Sequence, residues 1–340
     1  MHKQISYSAN QVFNYCSCSN NVTSRFDTVA SILGFERLEI YNTSKNIITF
    51  SLPIPINNTI WQILPTLTIN TSQPYSYYFS LECCSDSDKE CAILTNIGSD
   101  SSEDKLFTSK DIHSDNVLSD VDSFLLNKDF NKILLHIYVD EELLNTNEWF
   151  VSVSYKCKEK TEKNYTITEE SFSQSIPEIS QMLVPDIGPR ICSPTCLTML
   201  LQSYSRDVSP ATLANLAYAP QFDLYGVWPA NLYAASHYQT LGGVLFFDDW
   251  EKTKSLLKAG IPIITSIRYG KGELSNCAIE RKTSKPEGHL VLLKGFDNEY
   301  VVVNDPAAPK NELVSRKYLL EEFLKVWIER SAVGYIVLPL

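Results

Sequence analysis

The stretch Arg190-Ile191-Cys192-Ser193-Pro194-Thr195-Cys196-Leu197-Thr198-Met199-Leu200-Leu201 constrains the chain more tightly than any other. Pro194 fits a helix only in its first turn, where the N–H it lacks would have no intrahelical partner. Apolar positions then recur at helical spacing: Cys196, Leu197, Leu200, Leu201 and Tyr204. The pattern predicts a helix from Cys192 to about Ser205 with one buried stripe. Cys192 accordingly heads a buried helix, among backbone N–H groups that lack partners. That position lowers a thiol pKa and offers donors to a developing oxyanion. A small buried residue at a helix end is the commoner role of an isolated cysteine, so the rest of the chain has to decide.

At 340 residues the chain has length for two domains and a sizeable core. Its 44% hydrophobic and 20% charged residues are ordinary for a soluble globular protein. A net charge of −11 argues against a nucleic-acid partner or an anionic membrane surface. No apolar run approaches the roughly 20 residues that span a bilayer, and Met1 to Ser6 carries no signal-peptide core. A cytoplasmic protein is expected from the chain as it stands, with export after loss of a leader, or by another route, left open. The nine cysteines include Cys16, Cys18, Cys83, Cys84, Cys91 and Cys157 ahead of the helix and Cys277 after it. Their spacings make no standard zinc site. Free thiols in a reducing compartment are the simpler reading, with disulfides the alternative if the protein is exported. No metal or organic cofactor is expected.

Residues 1–157 read as an all-β, sandwich-like accessory domain. Runs such as Ile47–Leu52, Tyr75–Leu81, Ile133–Val139 and Trp149–Tyr155 are β-branched or alternating, and turn-prone clusters separate them. An ordinary core with a few surface tyrosines explains the aromatics more simply than a sugar-binding platform, although a surface or carbohydrate ligand stays open. Gly98 to Asp122, dense in Ser and Asp, reads as a long polar loop. Residues 158–174 are charged and polar and read as a linker. Residues 175–340 then turn α+β. Helices are expected at 192–205, 209–217, 228–240, 249–259 and 316–329, and strands at 261–269, 289–295, 299–304 and 333–338. Adjacent strands at the chain's end favour antiparallel hairpins.

One of those hairpins carries chemistry. Glu287-Gly288-His289-Leu290-Val291-Leu292-Leu293 is an apolar strand opened by a histidine, and Tyr300-Val301-Val302-Val303-Asn304-Asp305 returns from a turn near Asp297-Asn298. A turn centred near 297 sets His289 across from Asp305 within about one residue, close enough for the carboxylate to fix one imidazole tautomer. His113, His136 and His237 show no comparable carboxylate. Taken singly, a strand histidine or an Asp-Pro turn is structural. A cysteine heading a helix followed by a His–Asp hairpin is the set needed to form a thiolate nucleophile and protonate a leaving amine.

Ile191-Cys192-Ser193-Pro194-Thr195, Gly288-His289-Leu290-Val291 and Val303-Asn304-Asp305-Pro306-Ala307-Ala308-Pro309 resemble the bacterial papain-like cysteine peptidases of the bacteriocin-leader-peptidase, or C39-like, type. Tyr225–Asn231, Ala259–Ile263, Gly272–Leu274, Arg316–Tyr318 and Gly334–Pro339 fit one exported branch of that family, in which an N-terminal β domain is common. The resemblance covers about residues 175–340. It implies a papain-like α+β domain with Cys192 as nucleophile, His289 as general base and acid, and Asp305 as orienting carboxylate. It also implies an oxyanion glutamine in a Val/Ile-Pro-x-x-Ser-Gln element, met here by Ile176-Pro177-Glu178-Ile179-Ser180-Gln181. Ser193 stands where many relatives have glycine, and Cys196 where a small residue is usual. A peptide or protein is the expected substrate. An acyltransferase on the same scaffold, or an inert binding protein working through its β domain, remain as alternatives. The polar stretch Asn276 to Lys285 is a candidate site-flanking loop that shapes substrate entry.

Overall fold

The computed structural model describes residues 2–17, 20–54, 59–98 and 114–340. Two sheets build the N-terminal part. The first orders its strands Glu36–Arg37, His2–Ser17, Trp149–Thr166, Ile60–Ile69, Phe124–Leu126 and Val117–Ser119. The second runs Ile40–Ser44, Ile47–Leu52, Lys132–Val139, Ser76–Cys84 and Lys89–Ile93, with Ile97–Gly98 joined to Ser76–Cys84. Side-chain alternation gives each sheet one apolar face. Phe13, Ile63, Leu67 and Val151 of the first meet Phe50, Phe79, Leu81 and Leu135 of the second in a shared core.

The N-terminal part is not all-β. Asn20–Leu33 is a helix, and Glu141–Thr146 a short one capped by Asp140. Phe26 and Val29 of the longer helix are buried three residues apart, and Phe26 stacks on Phe150 at 4.5 Å. That spacing was present in the sequence but is masked by β-branched neighbours, which favour strands by propensity. Within the stretch expected as a polar loop, Val117–Ser119 is a strand, while 99–113 lies outside the described residues.

The third sheet is antiparallel throughout, ordered Thr240–Phe246, Val333–Pro339, Ile263–Tyr269, Glu287–Asp297, Tyr300–Asn304 and Ser315–Leu319, with Ser171–Ser173 added on Glu287–Asp297. Leu290 and Leu292 pack with the helix Cys192–Ser203, whereas Val291 and Leu293 join the core of the helices Trp250–Lys258 and Leu320–Trp327. The helices Pro210–Ala217 and Trp228–Ser236 complete the first of these layers. Three expectations shift here. The helix expected at 316–329 is a strand, Ser315–Leu319, followed by the helix Leu320–Trp327. The helix expected at 228–240 stops at Ser236, and the strand Thr240–Phe246 follows it, its Gly242-Gly243 pair having hidden a buried strand. The stretch read as a linker is ordered: Lys158 to Thr166 continues the strand Trp149–Thr166 against His2–Ser8, and Ser171–Ser173 already belongs to the third sheet. A charged ribbon solvated on its faces shows no apolar alternation, so its strand character was not visible.

The two parts meet along the edge strand Thr240–Phe246. An unpaired edge would leave backbone N–H groups buried without partners. Hydroxyls on the outer face of the first sheet supply them. Thr68 Oγ1 both donates to Gly242 O and accepts from Gly242 N–H, each at 3.1 Å. Thr66 Oγ1 accepts from Val244 N–H at 3.3 Å, and Ser154 Oγ from Phe246 N–H at 3.3 Å. Buried Lys156 adds a tie, donating to the carbonyls of Arg330 at 2.8 Å and Ser331 at 3.2 Å. The approach leaves no room for a side chain at residue 243: a Cβ there would lie 2.4 Å from Ser152 Oγ and 3.1 Å from Phe150. Gly243→Ala is therefore expected to cost about 1–3 kcal/mol as overpacking, measured by urea unfolding of the whole chain. Gly226→Ala, with nothing within 4 Å of the new methyl group, should leave stability unchanged.

Candidate active site

The helix Cys192–Ser203 starts at the cysteine, and its capping residue Ile191 makes no side-chain cap bond, so the first-turn N–H groups stay available. Two one-turn 3₁₀ segments lead into it. Gln181–Leu183 and Gly188–Arg190 pack so closely that a Cβ at residue 188 would lie 2.6 Å from the Gln181 carbonyl oxygen. Cys192 is half-buried. One turn on, Cys196 is fully buried with its thiol against Leu290 O at 3.5 Å, and burial pushes that thiol well up. It is an inert core group. Ser193 Oγ pairs with Tyr335 OH at 3.1 Å, which satisfies the buried hydroxyl beside Cys192.

His289 and Asp305 are both buried, and His289 Nε2 lies 2.7 Å from Asp305 Oδ1. Their pairing differs in register from the expectation. Asp297 pairs with Tyr300 and Leu292 with Asn304, with a bulge at Lys294 between Leu293 and Gly295. Continued past its end, this ladder would place Asp305 opposite Val291, so the two side chains meet on a diagonal rather than face to face. Diagonal neighbours in a sheet are still within reach of long side chains. The ladder with Tyr300–Asn304 ends at Leu292, and the imidazole and carboxylate meet beyond that end.

Asp305 is saturated with donors. Besides the imidazole, Oδ1 accepts from Ala307 N–H at 3.0 Å. Oδ2 accepts from the Tyr318 hydroxyl and from Ala278 N–H at 3.2 Å. Burial alone would raise this carboxyl, but the His289 charge, its hydrogen bond and the Tyr318 and Ala307 donors outweigh it and hold the group below the usual carboxylate range. Burial lowers His289, yet Asp305 and then Cys192 overcome that and raise the imidazole well above an ordinary histidine. At Cys192 burial again opposes ionisation. The hydrogen bond and charge of His289, with backbone donors from Leu290 and Ser193, win and pull the thiol down. Cys192, His289 and Asp305 thus form one connected relay favouring a thiolate beside an imidazolium.

Gln181 is buried behind the turn that precedes Cys192. Its Nε2 donates to Gly188 O at 2.8 Å, and Oε1 is buried without a hydrogen-bond partner. The segment around it is clasped to the stretch after Asp305: Gln181 N–H donates to Pro306 O at 2.8 Å, the Ser180 hydroxyl to Ala308 O, and Ser180 N–H to Asn311 Oδ1 at 2.8 Å. Asn304 Nδ2 donates to Pro177 O at 3.0 Å. Sequence reasoning missed Tyr318, Ala278 and Asn304 as supports of the site, since no spacing rule links a tyrosine thirteen residues on to a buried carboxylate. It also missed a partner of His136, whose Nε2 lies 3.5 Å from Glu82 Oε2 on the neighbouring strand of the second sheet. Cys16 is disulfide-bonded, which departs from the all-free reading of the thiols; the other cysteines among the described residues are free. No helix among the described residues is long and apolar enough to cross a membrane.

Residues 173–335 match the model of the Peptidase_C39 like family. No curated protein matches the chain. Two crystal structures are similar to part of it. One is a C39-like peptidase from Bacillus anthracis, 19% identical, with 50% of this chain and 98% of the other covered and a TM-score of 0.38. The other is the peptidase domain of Streptococcus ComA, a bifunctional ABC transporter involved in quorum sensing, 18% identical, with 46% and 97% covered and a TM-score of 0.34.

The relay has a stability signature. His289 is raised in the folded state, so its contribution is complete below the ordinary histidine value of 6.5 and is lost as pH climbs through the folded value. Asp305 is depressed, so its contribution is complete above 3.8 and is lost as pH falls toward the folded value. The destabilisation of His289→Ala should therefore be largest between those two values, about 3–5 kcal/mol for a broken buried pair, and shrink on either side. Urea unfolding of both proteins across the pH range checks this.

Proposed function

With residues 173–335 matching the model of the Peptidase_C39 like family, we propose that the chain is a cysteine peptidase acting through Cys192. The observation that carries this is the relay itself: a half-buried thiol at a helix start, pulled down by a buried imidazole that a saturated carboxylate holds 2.7 Å away. The Cys192 thiolate attacks the substrate carbonyl, forming the C–S bond as the carbonyl π electrons move to oxygen. The Gln181 amide has a second N–H beyond the one given to Gly188, and with the Cys192 N–H it receives the oxyanion. Collapse breaks the C–N bond, and the His289 imidazolium gives its proton to the leaving amine. His289, now neutral, takes a proton from water as that water attacks the thioester, and the acid product leaves with the thiolate restored. Asp305 keeps its charge throughout and orients the ring.

An acyltransferase would share every step up to deacylation and differ only in its acceptor, so the test includes one. A peptide library incubated with the enzyme, followed by mass spectrometry, should show cleavage and a thioester at Cys192. Cys192→Ala should abolish both. Gln181→Ala should lower kcat about 100- to 1,000-fold with little change in KM. Products that carry an added amine in place of the hydroxyl of water would assign transfer. Uniform slow iodoacetamide labelling of the accessible thiols, with no cleavage and no thioester, would remove the enzyme reading and leave a binding protein.

A further inference from the structure

One oxygen of Asp305 points away from the imidazole, and what holds it lies outside the relay. Oδ2 is shared by the Tyr318 hydroxyl and Ala278 N–H, while Oδ1 serves His289 and Ala307 N–H. Tyr318 is fully buried on the strand Ser315–Leu319. Ala278 belongs to the stretch between the strands Ile263–Tyr269 and Glu287–Asp297, expected from sequence to border the site. That stretch is fastened near the same strand. Asn276 Nδ2 donates to Lys317 O at 3.1 Å, Arg316 Nη1 to Asn276 O at 2.9 Å, and Ser275 Oγ to Glu322 Oε1 at 2.8 Å. Tyr269 OH donates to Ile279 O at 3.0 Å.

We propose that Tyr318 is a positioning residue for the reaction at Cys192, acting through the outer oxygen of Asp305 together with the Ala278 N–H. The proposal rests on the reading of Cys192 as nucleophile. A buried carboxylate is ionised only while donors replace its lost water. Remove the hydroxyl and Oδ2 keeps a single, longer bond, so protonation of Asp305 becomes easier. Once Asp305 is protonated, His289 has no counter-ion and the imidazolium–thiolate pair collapses to its neutral form. The other groups facing Asp305 do not substitute. Cys196 on the nucleophile helix, Cys277 on the bordering stretch and Tyr269 are each pushed up by burial and stay neutral. Arg316 is engaged by carbonyls of Leu313 and Asn276 beside Tyr318. That leaves the Cys192 thiolate and His289 as the charged partners.

The experiment follows the rate of Cys192 alkylation by iodoacetamide against pH in the full chain, for wild type, His289→Ala, Tyr318→Phe and Ala278→Pro. Tyr318→Phe keeps the ring and deletes only the donor; Ala278→Pro deletes the other donor independently. Each should move the acid limb of the profile up by about one pH unit, the order expected for losing one hydrogen bond to a charged group. A Tyr318→Phe limb that superimposes on wild type, with only a lower melting temperature, makes Tyr318 a packing residue and overturns the proposal. If Tyr318→Phe does not fold, Ala278→Pro decides in the same way. A wild-type profile without His289-dependent alkylation at acidic pH overturns the nucleophile reading, and the proposal with it; that outcome is distinct because it appears before any change at Tyr318.

Discussion

A carboxylate with no solvent and four donors is the interaction on which the C-terminal half of the chain depends. Burying Asp305 would be costly if any lone pair were left bare. The chain meets that demand from four places: an imidazole on one strand, a hydroxyl on another, the turn that follows Asp305, and the stretch that precedes His289. Each donor is a constraint on where its element lies. The clasp of Ser180 and Gln181 onto Pro306 and Ala308 extends the same set of constraints to the segment ahead of Cys192. The imidazole and the segment that carries Gln181 are thereby tied to the stretch around Asp305 by bonds that also close the fold.

Much of this was legible in the chain. Pro194 and the apolar spacing after it marked where the helix Cys192–Ser203 begins, because a proline ring has few places to sit in a helix. The His289 strand and the return strand to Asp305 were recognisable from their β-branched runs. Their register was not, since the bulge at Lys294 adds a residue without any signal in polarity. Tyr318 gives no signal of its own in the sequence; its contact with Asp305 depends on strand order, which places Ser315–Leu319 next to Tyr300–Asn304.

The N-terminal part was harder to read for a related reason. Its core strands alternate plainly, but the outer face of the first sheet carries Thr66, Thr68, Ser152 and Ser154, all buried. Hydroxyl residues on a strand suggest a solvated face, and here they cover another strand's edge instead. Tyr78 and Tyr138 are half-buried tyrosines of the second sheet. Their rings stack on each other at 4.3 Å and 7°, so each takes up a face of the other.

The hydroxyl seam has a consequence for how such a protein can be rebuilt. Greasy interfaces tolerate sliding, whereas Thr66 and Thr68 reach Val244 and Gly242 at every second residue, in step with a strand whose neighbours lead across the sheet to His289. Any module grafted in place of the native one would have to present alternate hydroxyls in the same phase. A partner lacking them would leave a strand border open to pairing with other chains.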